Sequence, residues 1–250
     1  MAEAARCLAL LERDLGHAEA LALEARARAS QAGVDAVAIS DALGMLRFHQ
    51  GAWDDAATLF DHARGLSQRE GDREGEFRTL EHLAVLELER NDAQAAGVLC
   101  RDLVVLAGKL REGSEAPFAR CLAALAAEAS GQDAVEEIDA AIESLRLADA
   151  KHRLAYALLR AAGGDIERGN FEKARLRGEE ALRLARIMER PSETAMAHVV
   201  LLQCALKGSG KDAKRHEIAL EHSNPVQLAA YVRRAMEGVT HGTRAGGTAF

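Results

Sequence analysis

Apolar residues recur at helical spacing along most of this chain, and they do so in blocks that resemble one another. The clearest block is GAWDDAATLFDHARGL, in which Gly51, Trp53, Ala56, Phe60, Ala63 and Leu66 follow at spacings of 2, 3, 4, 3 and 3. Such spacing draws one apolar stripe down a helix. Leu43 and Gly44 stand side by side in the helical stretch before it. The block predicts a helical hairpin, in which small residues let two helices approach closely and glycine permits the turn. Trp53 and Phe60 then fill the space toward the next pair. A single pair cannot bury its apolar face, so stacked copies must share one core.

The same frame fits five other segments when it is anchored on the alanine near the start of the second helix. The anchors are Ala20, Ala56, Ala96, Ala134, Ala174 and Ala213, at separations of 36, 40, 38, 40 and 39 residues. Seven residues after each comes another apolar residue: Ala27, Ala63, Leu103, Ala141, Ala181 and Leu220. GNFEKA precedes the fifth anchor, with Gly169 and Phe171 in the places of Gly51 and Trp53. Elsewhere the turn signal is altered. Asn91 stands for the glycine in the third copy, Leu15 and Gly16 mark the first, and Gly131 comes two residues late in the fourth.

In Leu43, Gly44, Gly51, Ala56, Phe60 and Ala63 this chain resembles the tetratricopeptide repeat family. The long period also resembles the sensor arrays of bacterial regulators of the maltose-activator type. Two family features differ: Arg47 replaces the tyrosine usual in the first helix, and Gln68 stands where a proline commonly ends the unit. The resemblance implies an all-α, right-handed solenoid of about six stacked helix-turn-helix pairs that works by binding. The expected organisation is a repeat array over 1–222, a capping helix over 223–238 that covers the last pair with Val226, Ala229, Ala230 and Val232, and a disordered tail over 239–250.

Composition agrees with helices. Hydrophobic residues make up 48% and aromatics 4%, and there are only three prolines, so alanine and leucine carry the packing. Pro117 and Pro191 fall near expected starts of first helices, and Asn224–Pro225 reads as a helix opening. The formal net charge of −7 comes from 32 basic and 39 acidic residues that are interspersed. No basic block of nucleic-acid-binding type stands out, and no apolar run reaches membrane length. The N-terminus carries charge through its apolar stretch, unlike a secretion signal. A cytoplasmic location is expected, with neither nucleic acid nor membrane as partner.

Candidate chemistry is sparse. Cys7, Cys100, Cys121 and Cys204 are far apart and sit on apolar faces, which predicts buried free thiols. None of the nine histidines has a histidine or cysteine three or four residues away, so no metal site is expected. KGSGKD, Lys207 to Asp212, resembles the end of a phosphate loop. Asp212, however, replaces the hydroxyl that holds magnesium, and Ala205 replaces the first glycine. The expectation is a chain with no catalytic residues and no cofactor.

What remains is the groove that first helices line in such arrays. The frame places Asp41, Met45, Phe48 and His49 there from the second copy, Arg78, Glu81, Val85, Leu88 and Glu89 from the third, and Tyr156, Leu159, Ile166 and Glu167 from the fifth. Apolar anchors interleaved with charges suit an extended or helical peptide. The asparagines and lysines with which the family's chaperone-binding members clamp a terminal carboxylate are not matched, since Asn91, Asn170 and Asn224 all fall outside first helices. The function expected is that of a non-enzymatic scaffold or adaptor for a protein or peptide partner. The alternatives are a ligand- or signal-peptide-sensing domain of a bacterial regulatory protein, and self-association as a homo-oligomer.

Overall fold

The computed structural model describes residues 1–110, 113–208 and 212–245, the last six of these as backbone. It is all-α, 82% helical, with no strand among the described residues. Two compact units divide it, residues 1–135 and residues from 136 onward. In the first lie α1 (Ala2–Leu10), α2 (Leu15–Ala32), α3 (Val37–Gln50), α4 (Trp53–Glu70), α5 (Arg73–Glu89), α6 (Ala93–Ala107) and α7 (Glu115–Ala129). The second holds α8 (Val135–Leu147), α9 (Lys151–Glu167), α10 (Phe171–Ile187), α11 (Pro191–Lys207), α12 (Ala213–Glu221), a 3-10 turn at Pro225–Gln227, and α13 (Ala230–Ala245). Within each unit helices pack on their chain neighbours. Odd-numbered helices also touch odd-numbered ones: α1 with α3, α3 with α5 and α5 with α7, then α9 with α11 and α11 with α13.

The hairpin turns follow from single residues. Inside successive pairs the chain reverses through a left-handed residue: Asp14, Gly51, Asn91, Gly131, Gly169 and Asp212. Gly51, at φ 89°, adopts this conformation without the Cβ penalty, and Asn91, at φ 61°, is among the few other types that tolerate it. The next helix is then started by a capping carboxylate where one is present. Asp14 accepts from His17 N at 3.2 Å, Asp72 from Gly75 N at 3.0 Å and Asp92 from Ala95 N at 2.9 Å, each worth about 1 kcal/mol.

The anchors of the later copies are buried as the frame requires: Ala56, Ala96 and Ala174 are fully buried and Ala134 nearly so. Phe60 lies against the Gly44 backbone, where an added Cβ would stand 2.6 Å from two ring carbons. The Leu-Gly pair of the first helix is therefore the socket of the aromatic plug on the second. In the fifth copy the plug is inverted: Gly178 takes the position of Phe60, and Val200 and Leu201 of α11 close on it, 3.1 Å from where its Cβ would be. Arg47, in place of the family's tyrosine, donates to Glu19 of α2 at 2.6 Å, so an ion pair does the bridging there.

Three expectations are corrected. The first-copy anchors Ala20 and Ala27 are exposed, while Ala18, Ala22 and Ala25 are buried; the true anchor is Ala18, 38 residues before Ala56. Cys7 is exposed, and only Cys100, Cys121 and Cys204 are buried. At the C-terminal end the capping helix starts later and runs further than expected. A 3-10 turn opened by Asn224 precedes it, with Val226 exposed, and residues 239–245, expected in a disordered tail, are helical. Leu228, Ala229, Val232 and Val239 cover Ala195, Val199, Leu202 and Leu220, and Ser192 Oγ accepts from Ala229 N at 2.9 Å. Residues 209–211 of the KGSGKD segment and the tail 246–250 lie outside the described residues.

Candidate functional site

In the first unit the odd-numbered helices bring polar side chains of successive pairs together. Asp41 of α3 is fully buried, and its two carboxylate oxygens are taken by α5: Oδ2 accepts from Arg78 Nε at 2.8 Å and Oδ1 lies 2.9 Å from His82 Nδ1. Burial pushes this carboxyl up, but the His82 imidazole and the Arg78 guanidinium outweigh it and hold Asp41 below the usual carboxylate range. His82 also stacks on Phe60, ring centroids 5.0 Å apart. The cluster thus joins the polar junction of two first helices to the apolar plug beneath it.

This packing narrows the predicted groove. Asp41, His49, Leu88, Glu89, Leu159 and Ile166 are buried, so no partner reaches them without opening the helices. Met45, Phe48, Arg78, Glu81 and Val85 of the first unit and Tyr156 of the second are half-buried, and Glu167 is exposed. Met45 and Phe48 rest on the cluster of Ala56, Phe60, Leu83 and Leu86, with part of each side chain left accessible. The usable apolar face in the first unit is Met45, Phe48 and Val85, with Arg78 held beside it by Asp41.

Other polar constellations, not foreseen from the sequence, have structural work to do. Buried Arg177 of α10 donates to Asp165 of α9 at 2.5 Å and to Ala161 O at 3.1 Å, and also to Asp139 of α8, fastening three helices. Arg190 and Glu193 pair at 2.7 Å at the start of α11, with His152 of α9 3.1 Å from Arg190 Nη2. There burial raises the Glu193 carboxyl, and its hydrogen bond from His152 and the charge of Arg190 more than reverse it, so the group stays ionised.

Two arrangements have the form of reactive groups. Ser40 Oγ is 2.9 Å from His62 Nδ1, whose Nε2 is 3.0 Å from Asp35 Oδ2. A hydroxyl, imidazole and carboxylate in line is the order a nucleophile needs, but the ring presents the opposite nitrogens from the usual hydrolytic triad. Ser40 is buried beneath the ring. The chain of bonds ties the α2–α3 loop through α4 to α3. In the second unit His198 and His216 meet Nδ1 to Nδ1 at 2.9 Å, with Arg186 Nη2 3.5 Å from His198 Nε2. Because a guanidinium only donates, the network assigns the His198 proton to Nδ1, from which it is given to His216. Burial, His216, Arg186 and Arg215 lower His198 to about 4.

Burial pushes the Cys100 and Cys204 thiols up to about 12 and about 11, which makes both poor nucleophiles. Among the described residues no group of three or more His, Cys, Asp or Glu is placed to hold a metal ion, and no helix is long and apolar enough to cross a membrane. No family model matches the chain, and no curated protein matches it closely.

Proposed function

We propose that the chain is a right-handed helix-pair solenoid of the tetratricopeptide type, and that it acts without catalysis by binding a peptide segment of another protein along its first helices. The observation that carries the reading is the half-buried trio Met45, Phe48 and Val85 beside Arg78, on neighbouring odd-numbered helices. Support for the repeat type comes from the left-handed residue in successive hairpins and from the fit of Phe60 on Gly44. Apolar surface of this kind, flanked by an oriented cation, supplies affinity through the anchors and direction through the charge. The chain then serves as a scaffold or adaptor in the cytoplasm. With the first anchor at Ala18 the spacings are 38, 40, 38, 40 and 39 residues. This uniform long period favours, as the second reading, the sensing region of a bacterial regulatory protein.

A displayed peptide library selected on the immobilised chain tests the first reading. Phe48→Ala with Val85→Ala should weaken a selected peptide by about 2 kcal/mol, roughly thirtyfold, with helicity unchanged. Undiminished affinity in the folded double variant would place the binding surface elsewhere.

A further inference from the structure

The outward face of α6 breaks the pattern of its repeat. Val98 and Val105 are 49% and 62% exposed, and Val104 beside them is 37% exposed. The same frame positions are Thr58 and Gly65 in the second copy, Glu136 and Glu143 in the fourth, and Arg215 and His222 in the sixth. Solvent explains those residues and does not explain two valines. Gln94, Val98, Arg101 and Val105 follow at spacings of 4, 3 and 4, which is the seam of a two-helix contact with β-branched residues alternating along it. Beside the first half of that seam, α6 and α7 leave a groove of about 440 Å³ floored by Ala93, Gly97, Ala123 and Ala126. The groove admits side chains of valine size. Arg101 makes no hydrogen bond or ion pair among the described residues, whereas the neighbouring Asp102 shares Arg64 of α4 at 3.3 Å.

We infer that this face is covered by a second copy of the chain, α6 against α6, antiparallel about a two-fold axis between residues 101 and 102. Self-complementarity carries the choice of occupant. In that register Val98 meets the partner's Val105, and the second half of the partner's α6 lies over the small-residue groove. Arg101 meets the partner's Asp102, and the symmetry makes the pair twice, so both free charges are answered with no other protein needed. A contact of one helix per protomer buries less than about 1,200 Å², which puts the dimer in the weak, reversible class.

Sedimentation equilibrium of the full chain from about 5 μM to about 500 μM, a window chosen for a dissociation constant in the micromolar range, reads the proposal directly. The parent should pass from monomer to dimer within this range. Val98→Glu, at an exposed position, should weaken association at least about tenfold with the helical signal unchanged. Arg101→Asp and Asp102→Arg should each be monomeric, because each places like charges opposite one another twice. An equimolar mixture of the two should dimerise, because both cross-pairs are then opposite in sign. A parent that is monomeric throughout overturns the inference. So does a dimer indifferent to Val98→Glu, or a mixture of the charge variants no more associated than either alone.

Discussion

Gly44 and Phe60 provide a test in which the sign of an effect, and not only its size, depends on the packing. Replacing a helix-interior glycine by alanine ordinarily stabilises by about 1 kcal/mol. At Gly44 of α3 the new methyl would stand 2.6 Å from Phe60 Cδ1 and Cε1 and 3.2 Å from Cζ, about 1 Å inside normal contact. The ring cannot simply move away, for Phe60 is 1% exposed and lies against His82 as well as Leu83 and Leu86. Overpacking of this kind costs about 1 to 3 kcal/mol, so Gly44→Ala should be destabilising despite its helix propensity. Phe60→Leu shortens the plug and costs about 1 to 2 kcal/mol by itself. In that background the clash is relieved, and Gly44→Ala should become neutral or stabilising, with a coupling energy above about 1 kcal/mol. Trp53 is the only tryptophan and packs on the same cluster. Its fluorescence during urea unfolding therefore reports locally, which matters in a repeat array whose parts need not unfold together. Additive effects of the two substitutions, or a stabilised Gly44→Ala single variant, would refute the socket.

Two further outcomes are expected. Arg78→Glu should cost about 3 to 5 kcal/mol, because it leaves buried Asp41 facing a like charge, and Asp41→Asn in the same chain should recover part of that loss in urea melts; an unchanged midpoint would release Arg78 from this structural role. Stability should also fall in acid through the α11–α12 histidines: His198, lowered to about 4 from its ordinary 6.5, binds its proton more readily unfolded, so its contribution is complete above about pH 6.5 and declines as pH drops toward 4, by at most about 3 kcal/mol. His198→Asn should flatten the difference curve in that window, and parallel curves for parent and variant would count against the assignment.

How much was legible from the sequence depended on how many alternatives each residue left open. Gly44, Ala56, Phe60 and Ala63 fix a crossing because a larger or smaller residue fits nowhere else, so the second copy reads cleanly. Helix α2 is the opposite case. Ala18, Ala20, Ala22, Ala25, Ala27 and Ala29 give several small-residue stripes of equal merit, and a two-residue error in the anchor costs nothing in composition. Only the Asp14 cap and the burial of Ala18, Ala22 and Ala25 choose among them. The extended C-terminal helix was hidden by its own glycines, Gly238 and Gly242, which read as a tail and are tolerated within α13.

The candidate site was harder to read because a first helix is enclosed by its own partner, by the preceding second helix and by the first helices on either side. Spacing along one helix does not say which of these a side chain meets, and that is why Leu88, Leu159 and Ile166 went to packing. The buried charges were misplaced for a different reason: acidic residues are expected at the surface unless a partner is known, and here the partner is a whole repeat away. Asp41–Arg78, Asp54–Arg90 and Arg64–Asp102 in the first unit are separated by 37, 36 and 38 residues, and Asp139–Arg177 in the second by 38. One period's offset with opposite charge was therefore a signal the sequence did contain. A stacked array brings residues a repeat length apart into register, so its polar contacts inherit the same period as its anchors. Searching for charge complements at that offset separates the side chains committed to the stack from those left for a partner, and on the first-helix face it leaves Met45, Phe48 and Val85.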